Sequence, residues 1–255
     1  MDTAPAVPSP ARAPREPRRL AAGQGVALWS EAWRIFCAAP LMWVLVVCAY
    51  AALSIVLVFI PVLGSLAHSV LTPVFMGGLM LGCHALARGQ PLEFEHLFAG
   101  FKDGRLGPLA VLGLIVLAAF IVVGIVCVGL ALVTIGMSGL GAMMDYENPR
   151  ALATLASASV GILFIVLVAL VGGTLMWMAF WFAPALVAID GVEPLAALKA
   201  SFDASLANLV PFLVYGLVYI GLAIMASIPF GLGWLVLGPM LVGSCYASWR
   251  QVFGN

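Results

Sequence analysis

Four stretches of this 255-residue chain contain no Asp, Glu, Lys or Arg: residues 35–87, 106–144, 151–189 and 204–249, which are 53, 39, 39 and 46 residues long. A single helical crossing of a bilayer needs about 20 apolar residues. A soluble domain carries about a quarter charged residues, whereas this chain has 9% charged and 64% hydrophobic ones. Too few charges are present to cover a water-facing surface, and disorder would demand the opposite composition. The expected fold is therefore an all-α integral membrane protein.

The first and last stretches have room for two spans each if a break lies between them. Ile60-Pro61-Val62-Leu63-Gly64 and Ile228-Pro229-Phe230-Gly231-Leu232-Gly233 supply such breaks, because proline and glycine stop a helix and allow a tight reversal. With one long span in each middle stretch, the expectation is six transmembrane helices, at about 40–60, 65–87, 109–133, 160–183, 211–228 and 232–249. They form a membrane domain over 24–252, arranged as three hairpins with short cytoplasmic amphipathic helices. Residues 1–23, with five of the 16 prolines and Arg12, Arg15, Arg18 and Arg19, read as a disordered, basic, proline-rich cytoplasmic tail.

Orientation follows from the basic residues of short loops, which stay on the cytoplasmic side. Six spans put Arg12, Arg15, Arg18, Arg19, Arg34, Arg88, Lys102, Arg105, Lys199 and Arg250 on one side and leave Arg150 on the other. The expected arrangement has both termini in the cytoplasm. Net charge is zero, so nucleic-acid binding has no electrostatic support. The five cysteines (Cys37, Cys48, Cys83, Cys127, Cys245) form no CxxC pair and lie in or beside apolar runs. They are expected to pack as small hydrophobes, without a structural disulfide.

A threefold pattern runs through the spans. Residues 28–36, 91–101 and 194–202 are short amphipathic stretches, closed by Pro40, Pro108 and Pro211 at the start of the next span. In the second, Phe94, Leu97, Phe98 and Phe101 recur at helical spacing. In the third, Leu195, Leu198, Phe202, Leu206 and Leu209 do so. Pro91 and Pro194 are read as first-turn prolines, where a missing N–H costs nothing. Thr72-Pro73-Val74-Phe75-Met76-Gly77, Ala183-Pro184-Ala185-Leu186-Val187-Ala188 and Gly238-Pro239-Met240-Leu241-Val242-Gly243 share a second signature. An internal proline frees a carbonyl that a neighbour must satisfy. Pro73, Gly77, Pro184, Pro239 and Gly243 are thus the expected kink and packing positions, and Gly78 and Gly82 permit close helix approach.

Catalytic patterns are missing. No Asp, Glu, Lys or Arg lies within an expected span, although proton- and ion-coupled transporters generally use one. His68 and His84 are 16 residues apart, about 24 Å along a helix, too far to share a metal. There is no HExxH, GxxxxGK[ST] or GxSxG. Glu93, Glu95 and His96 read as solvated charge, and Asp145 and Glu147 with Asn148-Pro149 as a turn. No cofactor or metal is expected, and the tryptophans read as an aromatic belt at the interfaces.

The Trp-rich segment Trp29-Ser30-Glu31-Ala32-Trp33-Arg34-Ile35-Phe36, then Pro61-Val62-Leu63-Gly64, Pro73-Val74-Phe75-Met76-Gly77-Gly78, Arg88-Gly89 and His96-Leu97-Phe98, resembles an uncharacterised bacterial six-span inner-membrane protein family. Phe182-Ala183-Pro184, Ala197-Leu198-Lys199-Ala200-Ser201-Phe202 and Asn208 look like its second half. More distantly the chain is similar to the membrane domain of glycerophosphodiester phosphodiesterases. The resemblance spans about residues 24–252 and implies a bacterial inner-membrane location and no assigned activity.

Together these readings point to a polytopic inner-membrane protein that is not an enzyme, acting as a scaffold, assembly or membrane-modulating protein. Phe94, Phe98, Leu198 and Phe202 would form its cytoplasmic contact surface, with membrane lipids and other membrane proteins as partners. The alternative is a facilitator or lipid-handling protein with a cavity at the kinked even-numbered helices near Pro73, Pro184 and Pro239. An intramembrane enzyme would need Cys83, His84 and another polar residue to cluster.

Overall fold

A computed structural model describes the backbone of residues 13–144 and 149–254 and the side chains of 13–134 and 159–254. Among these residues every regular element is helical. In order they are α1 (Gln24–Ala38), α2 (Pro40–Val58), α3 (Leu63–Ala87), the 3-10 helix η1 (Phe94–Phe101), α4 (Leu106–Met144), α5 (Pro149–Trp181), α6 (Ala183–Ala188), α7 (Pro194–Ala207), α8 (Leu209–Ser227) and α9 (Trp234–Phe253). Pro40 and Pro194 open α2 and α7 in the first turn, as their fixed φ favours. Pro91, by contrast, lies in non-helical chain ahead of η1. The turn proposed around Asp145 and Glu147 lies outside the described residues, as does Arg12 of the tail.

Among the described residues, five helical segments are long and apolar enough to cross a membrane: Pro40–Val58, Leu63–Ala87, Leu106–Thr134, Ser159–Ala188 and Leu209–Ser227. The sixth expected span folds as α9, but its character differs. Uncharged is not the same as apolar, and its second half carries Ser244, Tyr246, Ser248, Arg250 and Gln251. Thirteen of its 20 residues are buried in protein, so its polar groups find partners within the fold instead of lipid.

The chain divides into two units, Met1–Leu114 with Met178–Asn255, and Ile115–Trp177. The second contains the apolar parts of α4 and α5, paired antiparallel, with Gly172 against Val123 and Gly161 against Thr134. Phe120, Ile125, Leu132, Leu163 and Leu170 point outward from it, a surface suited to hydrocarbon.

In the first unit α9 packs against α1, α2, α3 and α8. Helix α1 buries Leu28, Trp29, Ala32 and Phe36 on protein. The Trp29 ring stacks on Tyr215 of α8 at 4.6 Å and 9°, and its indole N–H donates to the Tyr215 carbonyl at 3.2 Å. Helix α3 lays Gly78 and Gly82 against η1, not against another span. A Glu93–His96 capping box closes the start of η1, with the Glu93 N–H donating to His96 Nδ1 at 3.0 Å. These two residues cap a helix and are more than solvated charge. Three residues per turn stack Leu97 and Gly100 on the buried side of η1, and Phe94, at its first position, and Phe98 are exposed.

Two further departures from expectation have clear causes. On α7 the buried face is Ala197, Leu198, Ala200, Ser201, Ala204 and Ser205, while Leu195 and Leu206 are 70% and 56% exposed. Lipid is as apolar as leucine, so close helix packing selects small residues and leaves the large ones outside. Ser201 and Ser205 both donate to the Met178 carbonyl, and Ser201 Oγ accepts the Phe182 N–H at 3.0 Å. They satisfy the backbone where α5 ends, and Pro184 follows in the first turn of α6. Pro184 is therefore a helix starter, whereas Pro73 and Pro239 lie inside their helices. The three small-Pro motifs accordingly differ in structure.

Nor is the described part of the tail loose. The Arg18 N–H donates to Val252 O at 3.0 Å, and the Arg15 guanidinium donates to Phe253 O at 3.1 Å. Asn208, fully buried, accepts the Leu20 N–H at 2.7 Å and donates to Arg18 O and Ala204 O. The last carbonyls of α9 need donors, and residues 13–20 provide them.

Candidate functional site

The polar groups of the first unit gather on the second half of α9. Each is partnered from a different direction, as burial requires. Ser244 meets the Tyr215 hydroxyl of α8 at 2.8 Å. The Cys245 thiol donates to Trp181 O, and the Trp181 indole N–H donates to Ser248 Oγ at 2.9 Å. Tyr246 OH lies 3.1 Å from His84 Nδ1 of α3, and Trp249 donates to Asp190 Oδ2 at 3.0 Å. Arg250 forms an ion pair with Glu31 of α1, which also accepts from Gln251 Nε2 at 3.0 Å. The Gln251 carbonyl oxygen is buried with no partner among the described residues.

Next to this network is a cleft of about 250 Å³ between α1, α3 and α9, lined by Glu31, Arg34, Ile35, Ala38, Leu86, Ala87 and Arg250. It lies where α1, α3 and α9 all reach their C-terminal turns. A separate apolar groove of about 560 Å³ runs along Tyr219, Ile220, Ala223, Ile224, Ser227 and Ile228 of α8.

The expected site residues do not converge. Pro73, Gly77, Pro184, Pro239 and Gly243 are all buried. A Cβ on Gly77 would stand 2.8 Å from Leu109 Cδ1, whereas Gly243 faces Ala32 of α1, so these positions serve different interfaces. Neither the cleft nor the groove is lined by Pro73, Pro184 or Pro239. Phe94 and Phe98 lie 6.1 Å apart, 45% and 39% exposed. Phe202 is half-buried, and Leu198 turns inward on α7, away from any outer contact surface. Tyr246 does join His84, but Cys83 is fully buried, where a thiol packs and does not act as a nucleophile. Among the described residues no group of three or more His, Cys, Asp or Glu could hold a metal.

Ser244 and Ser248 are the polar residues that pattern reading passes over, while Glu31, Ser201 and Asn208 stood in the family resemblance with no role attached. Their signal is faint: polar residues placed where an apolar helix face would otherwise continue.

A probable inner membrane protein of Burkholderia thailandensis is 30% identical to this chain over 242 residues, covering 84% of the chain and 85% of the relative. The chain belongs to that protein's family. No family model matches it, and no solved structure matches it. With five helical segments among the described residues long and apolar enough to cross a membrane, it is a membrane protein.

The Glu31–Arg250 pair is directly testable. The Glu31 side chain is 10% exposed and Arg250 47%, so solvent screens the pair only from one side. Arg250→Ala leaves a nearly buried carboxylate with one amide donor, and breaking a buried pair this way is strongly unfavourable. Allowing for the exposed guanidinium, the expected loss is about 1–3 kcal/mol by thermal unfolding in detergent. Adding Glu31→Gln should recover part of it. A single variant as stable as the parent would contradict the assignment.

Proposed function

We propose that this protein is a non-enzymatic scaffold of the bacterial inner membrane that holds a partner protein through the short helices on its cytoplasmic face. In this reading α9 is the sixth span, the spans form three hairpins, and both termini are cytoplasmic. Two considerations support it: the gathering of ten basic residues on that side and the inner-membrane relative.

The observation that carries the proposal is the construction of η1. Its start is locked by the Glu93–His96 capping box and its inner face is pressed onto the glycines of α3. Two phenylalanines are nevertheless held outward on this rigid element. Exposed apolar side chains on a fixed support are what a protein partner recognises. Crosslinking in cells followed by mass spectrometry tests it: Phe94→Ala with Phe98→Ala should remove a specific partner while the protein level holds. An unchanged set of crosslinked proteins would end the proposal.

A lipid-handling role is the second reading, and the α8 groove is its support. The prolines offer it none, because Pro73, Pro184 and Pro239 are buried and line neither the cleft nor the groove. Increased lipid transfer between vesicles reconstituted with the protein would favour this reading over the first.

A further inference from the structure

The cleft between α1, α3 and α9 combines guanidinium groups with an apolar wall. Arg34 and Arg250 stand at its rim with Glu31 between them, and Ile35, Ala38, Leu86 and Ala87 form the rest. Glu31 is already neutralised, since Arg250 pairs with it and Gln251 donates to its other oxygen. Arg34, one turn along α1 from Glu31, is exposed and has no hydrogen bond or ion pair among the described residues. The three charged groups sum to +1, and the surplus resides on Arg34.

Position and size narrow the ligand. Leu86 and Ala87 end a membrane-crossing helix, so the cleft lies where hydrocarbon gives way to headgroups, the level at which basic pockets between helices take lipid phosphates. At about 250 Å³ it is smaller than the roughly 300–1,000 Å³ pockets that enclose a whole small ligand, which suits a headgroup whose chains stay in the bilayer. We infer that this cleft seats the phosphodiester of a monoanionic phospholipid. Arg34 and the free face of Arg250 hold its oxygens, and the four apolar residues cover its glycerol end. One phosphodiester charge neutralises the site. A zwitterionic lipid would add an ammonium whose only carboxylate, Glu31, is occupied, and a free phosphate would leave the apolar wall unused. The site is distinct from Phe94 and Phe98, so it stands or falls independently of the scaffold proposal.

The test uses the full chain in neutral detergent, titrated with phosphatidylglycerol or phosphatidylcholine and read by native mass spectrometry, with inorganic phosphate in a parallel thermal-shift arm. Phosphatidylglycerol should bind in preference to phosphatidylcholine, and phosphate alone should not stabilise the protein. Arg34→Gln should weaken phosphatidylglycerol binding about tenfold or more, the effect of losing one charge-assisted hydrogen-bond donor. Lys199→Gln, which removes the same charge from an exposed position on α7, should leave binding within about twofold, inside the typical ±0.5 kcal/mol of a neutral surface change. Arg34 has no protein partner, so its variant should elute and melt like the parent. Equal losses in both variants, equal binding of phosphatidylcholine, or stabilisation by phosphate without phosphatidylglycerol binding would overturn the inference.

Discussion

Gly100→Val is expected to lift η1 off α3 and to destabilise the protein by about 3 kcal/mol, the upper range for overpacking a tight interface. A Cβ at Gly100 would stand 2.0 Å from the Val74 carbonyl oxygen. Backbone blocks it, so no side-chain rotation relieves the clash. The same interface has no slack along its length, because a Cβ at Gly78 would stand 2.5 and 2.9 Å from the His96 and Leu97 carbonyl oxygens. Either the whole 3-10 helix shifts or the capping box at its start breaks. Gly107→Ala is the control, since nothing lies within 4 Å of its added methyl. Melting in detergent should fall steeply for the first variant and stay level for the second. Equal melting temperatures would show that η1 is not held by this contact.

Asn208→Ala is expected to free the described part of the N-terminal segment. The buried amide makes three hydrogen bonds, to the Leu20 N–H and to the Arg18 and Ala204 carbonyls. Removing it leaves those backbone groups without partners, at a cost of about 2–3 kcal/mol. The effect is also local. Arg15, Arg18 and Arg19 lie on the segment that Asn208 anchors, so trypsin cleavage there should quicken about tenfold or more, as follows from roughly 1.4 kcal/mol or more of lost closure free energy. Asn208→Asp keeps the acceptor for Leu20 and loses both donations, and should fall between the two. Unchanged cleavage rates in Asn208→Ala would mean that the strap is held by its bonds to Val252 and Phe253 alone.

These two sites show where pattern reading succeeds and where it stops. Gly78 and Gly82 were legible as a close-packing face, because small residues four apart on an apolar helix have few other uses. Their partner was not legible, and it is η1 where another span would have been the simpler guess. Asn208 stood among the positions of the family resemblance, but nothing around it named a role or a partner. A single polar residue between two helices looks like a loop residue until the chain ends come to meet it. Likewise the leucines of α7 mark one helix face by spacing, but periodicity alone does not say whether that face looks toward protein or lipid.

What this sequence determined unaided is the solvent and the helical character of its apolar runs; α4 (Leu106–Met144) and α5 (Pro149–Trp181) are longer than the spans expected at 109–133 and 160–183. Runs of 39 to 53 residues without a charge leave lipid as the only medium, and proline and glycine divide them into helices. Only the tertiary structure decided which side of each helix is inner and how α9 differs from the five helical segments apolar enough to cross a membrane. The reason is that hydrocarbon outside a membrane protein removes the apolar-in, polar-out rule that makes soluble sequences readable. Packing then depends on steric fit between small residues and on buried polar pairs such as Glu31 with Arg250, whose members lie 219 positions apart and carry no mark of each other in the local sequence.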